Sequence, residues 1–216
     1  MGSGAGLTVA TWIWGTKYRG DYIARLDYGL RRNLRSPFRF IVLNPFAADM
    51  WLRDGCLCRM RLFDPGFQEI YGIKNGEHVA VLDLDIVITG CLDPLFERDE
   101  SLVILAGANA ANPCPFNGSV MMMTAGANVD LWADLNADVL QTIPRYEFPD
   151  DQGWIHFKRP NAATWQVGSS SGIYAFRKPG WPPGDELPVD ARLVAFPGRR
   201  DPSQFTHLPW VKKFWS

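Results

Sequence analysis

The segment from His78 to Gly90, HVAVLDLDIVITG, narrows the architectures open to this chain more than any other stretch. Val79 to Leu82 are apolar on both alternating faces, the pattern of a strand covered by helices on either side of a sheet. Asp83 and Asp85 follow at once. Side chains two apart in an extended chain point the same way, so two carboxylates converge at one sheet edge while Leu84 turns to the core. Hard oxygens in that arrangement suit Mg²⁺ or Mn²⁺, which keep positions free for the phosphates of a substrate. A pair of solvated aspartates in a turn has the same spacing, but like charges at the end of an apolar strand call for a partner cation.

The rest of the chain is compatible with that strand. LTVATWIW reads as a first strand; after the loop from Gly15 to Gly20, Ile23, Leu26, Leu30 and Leu34 recur at helical spacing, and FRFIVLN reads as a second strand. LVILAG and GSVMMMTAG supply further strands, and RLVAF a late one. Asp93 followed by Pro94 reads as an N-cap and first helical position. Leu131, Trp132, Leu135, Val139 and Leu140 predict a helix that Pro144 and Pro149 close, and another helix begins near Asp151. The expectation is an α/β fold with a mixed, mostly parallel central sheet flanked by helices, in a single domain over residues 7–216. Residues 1–6, MGSGAG, read as an expression scar.

Charge and cysteine usage exclude several classes. A net charge of -1 lacks the basic excess of a nucleic-acid binder. The uncharged stretch from Ser101 to Val129 carries Pro113, Pro115 and several Asn residues, which excludes a transmembrane helix. Cysteines at 56, 58, 91 and 114 complete no zinc set, so they read as free thiols of a cytoplasmic protein.

Three more pieces follow the aspartate pair: FNGSV at 116–120, DDQGWI at 150–155 and FPGRRDP at 196–202. In this order, with WGTKY at 14–18 and the terminal W-V-x-x-x-W, the chain resembles GT-A-type (Rossmann-like) glycosyltransferases, the glycogenin-like group and its bacterial relatives. The resemblance implies a metal-dependent hexosyltransferase moving a sugar from a nucleoside-diphosphate sugar, a UDP-sugar by expectation, to a hydroxyl of a glycan, lipid or small-molecule acceptor.

Residue by residue, it puts Trp14, Gly15, Lys17 and Tyr18 beside the nucleotide, with Tyr18 on the base and Lys17 toward the phosphates. Arg59 joins them on the diphosphate or on an aspartate. Asp83 would contact ribose and metal, Asp85 the metal (Mn²⁺ or Mg²⁺) and both phosphates. Asn117, Gly118 and Ser119 would hold the sugar, with Asp151 and Gln152 beneath it as the catalytic pair, while Asp150 reads as a helix cap. Gly198, Arg199 and Arg200 would face the diphosphate. Where the family has a metal-binding His before that Gly, Pro197 stands here, and His207 is the one histidine that could substitute. Two other readings remain beside this one: a haloacid-dehalogenase-like phosphatase built on D-L-D-I-V with Asp150 and Asp151 as its acidic pair, and a non-catalytic nucleotide-sugar or glycan binder. Against the phosphatase, its motif normally ends the first strand, and no Lys lies between Asp85 and Asp150.

Overall fold

The computed structural model describes residues 6–13, 15–44, 55–108, 112–141 and 150–216. Trp14, Pro144, Pro149 and residues 1–5 of the expected scar lie outside them. In chain order the elements are β1 (Leu7–Trp12), α1 (Gly20–Asn33), β2 (Phe38–Leu43), a 3-10 helix (Cys56–Phe63), α2 (Pro65–Ile70), β3 (His78–Leu82), β4 (Ile86–Ile88), α3 (Asp93–Phe96), β5 (Leu102–Ala106), β6 (Phe116–Thr124), α4 (Asp130–Ala133), α5 (Ala137–Leu140), α6 (Asp151–Lys158), β7 (Ala163–Trp165), β8 (Ile173–Ala175), β9 (Leu193–Ala195), a second 3-10 helix (Pro202–Phe205) and α7 (Pro209–Phe214).

Six strands form the main sheet in the order β2-β1-β3-β6-β5-β7. The pairs β1/β2, β1/β3 and β5/β7 are parallel, and β6 runs antiparallel to both of its neighbours. Strand periodicity divides the apolar residues between two layers. Val79, Val81, Met121 and Met123 join the core under the first 3-10 helix, α2, α4 and α6, whereas Ala80, Leu82, Val120 and Met122 join the core under α1. Each fully buried side chain of this size stabilises by about 1.5–3 kcal/mol, which is why both faces of β3 read as apolar in the sequence. A smaller sheet, β4-β9-β8, lies on the α1 side.

The ladder between β5 and β6 slips between Ile104, which faces Met121, and Leu105, which faces Asn117. Residues 118–120 are therefore outside the β5 register and answer to β3 instead, where Leu82 pairs with Val120. Residues 117–119, expected to form a turn, are thus part of β6, and this bulge brings them beside the aspartate pair.

Two local expectations are revised. Asp93 does not cap α3: its carboxylate accepts from the N–H groups of Arg35 and Ser36 at 2.8–3.2 Å, tying α3 to the turn between α1 and β2. The helix predicted over 131–140 is two short helices, because Leu135 and Asn136 interrupt it and the Asn136 side chain caps α5 by accepting from Val139 N–H.

The C-terminal residues close over α1. Tyr22 Oη donates to Asp201 Oδ1 at 2.8 Å, the Arg25 guanidinium lies 4.2 Å from the Trp215 ring centroid, and Arg25 Nη1 also donates to the Trp215 carbonyl. Phe176, Phe196, Trp210 and Trp215 are buried in the aromatic cluster beneath. Among the described residues no helix is long and apolar enough to cross a membrane.

Candidate functional site

β3 ends at Leu82, whose carbonyl accepts from the buried Thr11 hydroxyl at 2.8 Å, and the next N–H, that of Asp83, donates to Ser119 O at 3.0 Å. The strand end is thus held from both sides, by β1 and by β6. Leu84 is 2% exposed, as its alternation requires, so Asp83 and Asp85 stand together at the carboxyl edge of β3.

Arg59, buried on the first 3-10 helix, organises the floor. Its Nη1 donates to Asp83 Oδ1 and to Gly118 O, both at 2.7 Å, and its Nε lies 2.7 Å from Asp151 Oδ2. A methyl group on Gly118 would stand 2.7 Å from Arg59 Nη2 and 2.9 Å from Asp151 Oδ2. Only glycine leaves room for that ion pair. The Gly118 N–H donates to Gln152 Oε1 at 3.1 Å, and the Asn117 side chain accepts from Ser119 N–H at 3.0 Å. Asp150 caps α6 by accepting from Gly153 N–H at 2.8 Å.

These groups surround a cavity of about 480 Å³. Asp83, Asp85, Asn117, Gly118, Ser119 and Gln152 line it, together with Arg59, Asp150, Pro197, Gly198 and Arg199. Five stretches far apart in sequence converge there. Asp151 is placed differently: it is 3% exposed, faces Arg59 and does not line the cavity. Arg200 is also outside the lining, and His207 is exposed and lies against Phe205. Cys56 and Cys114, read in the sequence only as free thiols, and Asn112 also line the cavity. Asn112 and Cys114 belong to the uncharged Pro- and Asn-containing stretch, whose composition was informative only about membranes.

Beside Asp85 the first loop contributes a cation. Lys17 Nζ lies 3.1 Å from Asp85 Oδ2, Tyr18 Oη donates to the same oxygen at 2.5 Å, and Lys17 Nζ donates to Tyr18 Oη at 2.5 Å. The Tyr18 ring meets Tyr22 edge-on at 5.2 Å. Gly15 opens this loop with φ +62°. Burial and the like charge of Asp83 push the Asp85 carboxyl up to about 6, against the opposing pull of Lys17 and Tyr18. Burial also raises Asp83, Asp150 and Asp151, with Arg59 opposing in each case.

With Lys17 on Asp85 and Asp151 on Arg59, four carboxylates (Asp83, Asp85, Asp150, Asp151) meet three cations (Lys17, Arg59, Arg199), so the site is short of positive charge before any phosphate enters. That shortage, with two hard-oxygen donors at one strand end, fits a divalent ion on Asp83 and Asp85. Among the described residues no group of three His, Cys, Asp or Glu side chains could hold a metal. The other positions of such an ion would fall to water and phosphate oxygens.

No protein-family model and no curated protein matches the sequence. Solved structures do match in fold. A glycosyltransferase involved in the glycosylation of the major capsid of PBCV-1 aligns with TM-score 0.60 at 14% identity over 94% of this chain and 98% of that one. The glycosyltransferase GlyE of Streptococcus pneumoniae TIGR4 aligns with TM-score 0.58 at 12% identity over 96% of this chain. Of GlyE itself, the alignment spans 63%. The galactosyltransferase LgtC, solved in complex with donor and acceptor sugar analogs, aligns with TM-score 0.51 at 12% identity over 97% of this chain and 96% of that one. At these identities the likeness is one of fold.

Proposed function

We propose that this protein, whose fold is the GT-A fold of glycosyltransferases, transfers a sugar from a nucleoside-diphosphate sugar to a hydroxyl of an acceptor. The observation that carries the reading is the convergence of the aspartate pair, residues 117–119 of β6, Asp150 with Gln152, and Pro197 to Arg199 around one cavity at the carboxyl end of β3. In open α/β sheets, ligands lie outside the carboxyl ends of strands. A phosphatase of the haloacid-dehalogenase type fits less well, because the aspartates follow the third strand in chain order and Arg59 and Lys17 already engage them.

In the reaction, the bond between the anomeric carbon and the diphosphate breaks while the acceptor oxygen bonds to that carbon and loses its proton. Negative charge therefore grows on the leaving diphosphate, and its stabilisation dominates the barrier. A divalent ion held by Asp83 and Asp85 would supply part of that charge compensation when bound. Arg199 faces the same space and adds a guanidinium matched to phosphate oxygens. Gln152 spends its Oε1 on Gly118, which leaves its amide Nε2 to donate to the sugar. Asn117 and Ser119 present small polar groups beside it. Asp151 acts through Arg59, fixing the guanidinium that holds both Asp83 and the Gly118 carbonyl, and so is a positioning residue. The nine Trp residues of the chain suit a protein that meets sugars, though those placed in the cores serve packing.

The deciding experiment incubates the protein with UDP-, GDP- and dTDP-sugars, with Mn²⁺ and with chelator, and follows both the melting temperature and the release of nucleoside diphosphate. One donor family that stabilises the fold and is turned over in the presence of an acceptor hydroxyl supports the reading. Stabilisation without any turnover across acceptor classes would instead make this a nucleotide-sugar binder, and absence of both would remove the reading.

A further inference from the structure

The first loop bears on the metal position in a way the expected phosphate contact of Lys17 does not cover. The Lys17 ammonium sits on Asp85 Oδ2, an oxygen a divalent ion on the aspartate pair would need. Tyr18 Oη donates to the same atom. The two partners differ in exposure: the Lys17 side chain is 54% exposed and that of Asp85 12%. Lys17 is thus a long, solvated arm laid onto a nearly buried carboxylate, able to swing off without disturbing the core. Arg59 on Asp83 is the opposite case, with a side chain 5% exposed and a second carboxylate behind it.

We propose that Lys17 is a resident counter-ion of Asp85 that couples metal loading to nucleotide loading. The inference rests on the glycosyltransferase reading only for the nucleotide half. A metal arriving alone must displace the ammonium from Asp85 and leave it with water, so the ion pair competes directly with the metal. When a diphosphate arrives with the metal, Lys17 gains a new anionic partner in the phosphate oxygens, and the cost of leaving Asp85 is offset. By linkage, whatever factor the nucleotide adds to metal affinity the metal adds to nucleotide affinity. Lys17 therefore makes the half-loaded states unfavourable relative to both the empty and the fully loaded one. The effect needs a charge at position 17 rather than a particular side-chain shape, which separates it from a packing role.

The test is Mn²⁺ titration followed by electron paramagnetic resonance, which counts free Mn²⁺ and does not depend on turnover. The parent, Lys17→Met and Lys17→Arg are each titrated alone and with UDP, GDP or dTDP. Lys17→Met is expected to bind Mn²⁺ alone about 10-fold more tightly than the parent, a factor within the usual range of site coupling, and to lose a similar factor from the nucleotide's enhancement. Lys17→Arg, which keeps a cation beside Asp85, should behave as the parent does. Circular dichroism melts of all three show whether the fold is intact. If Lys17→Met binds Mn²⁺ alone no more tightly than the parent, the proposal is overturned. Should no nucleoside diphosphate alter Mn²⁺ binding in any variant, the donor reading fails, while the comparison of parent and Lys17→Met with Mn²⁺ alone still decides whether Lys17 competes for Asp85.

Discussion

Removing the Asp151 carboxylate would leave Arg59 buried beside a single anion. Breaking one partner out of a buried ion pair costs about 3–5 kcal/mol, so Asp151→Asn is expected to lose stability on that scale in denaturant unfolding. A variant with unchanged unfolding free energy would show that Asp151 is not the support of Arg59. Asp83 and Asp85 lie at a strand end facing the cavity, and each change to Ala should abolish metal-dependent binding of a nucleoside diphosphate while the native circular dichroism spectrum persists. Calorimetric titration reads this directly, and unchanged affinity in both variants would sink the role of the pair. The aspartate pair was legible in the sequence from its spacing and chemistry, whereas residues 117–119 and the Asp150 to Gln152 run were singled out by the resemblance to a family. The partnership of Arg59 with Asp151 was not, since it joins a 3-10 helix to the start of α6 and neither segment signals the other. Asp150 illustrates how one residue carries two messages: its capping role was readable, but its place on the cavity wall depends on how α6 docks.

Elements hold one another through a few such groups, and Asp93 on α3 is one. Hydrogen bonds from the Arg35 and Ser36 region, with Cys91 Sγ adding another, hold its carboxyl well below the ordinary value near 3.8. A depressed folded-state pKa means that the stabilisation is fully present above pH 3.8 and is lost as pH falls toward the folded value. The urea midpoints of the parent and Asp93→Asn should therefore differ by a constant amount from pH 5 to 7 and draw together below pH 3.8. The corresponding difference in unfolding free energy should be about 1 kcal/mol or less, as for other solvent-screened contacts. A gap that stays the same down to pH 2 would count against the staple. Existence and order of β1, α1, β2, β3, β5 and β6 followed from hydrophobic periodicity. Helix boundaries did not, because the interruption at Leu135 and Asn136 is a capping event inside an otherwise helical apolar pattern.

At the scale of the whole molecule, donor binding should register as global stabilisation. A ligand at about 100 times its dissociation constant adds about 2.7 kcal/mol, and at about 2–4 °C per kcal/mol for a chain of this size the melting temperature should rise by about 5–10 °C. The rise should need donor and Mn²⁺ together; a full rise in chelator would show that the metal is dispensable for binding. Strand direction was the part of the topology that periodicity could not supply. Alternation reads the same in either sense, so the antiparallel insertion of β6 between β3 and β5 emerged only from the pairing. The bulge that steers residues 118–120 toward β3 was likewise invisible, being a mismatch between two strands and not a property of either. The closure of the C-terminal residues over α1 also sets an order of events at the ribosome. The helix that follows the Lys17 loop is synthesised early, yet Tyr22 and Arg25 wait for Asp201 and Trp215, made at about 5–20 residues per second. For roughly 10–40 seconds of translation, then, the nascent chain carries the beginnings of its cavity wall without the clasp that holds α1 in place.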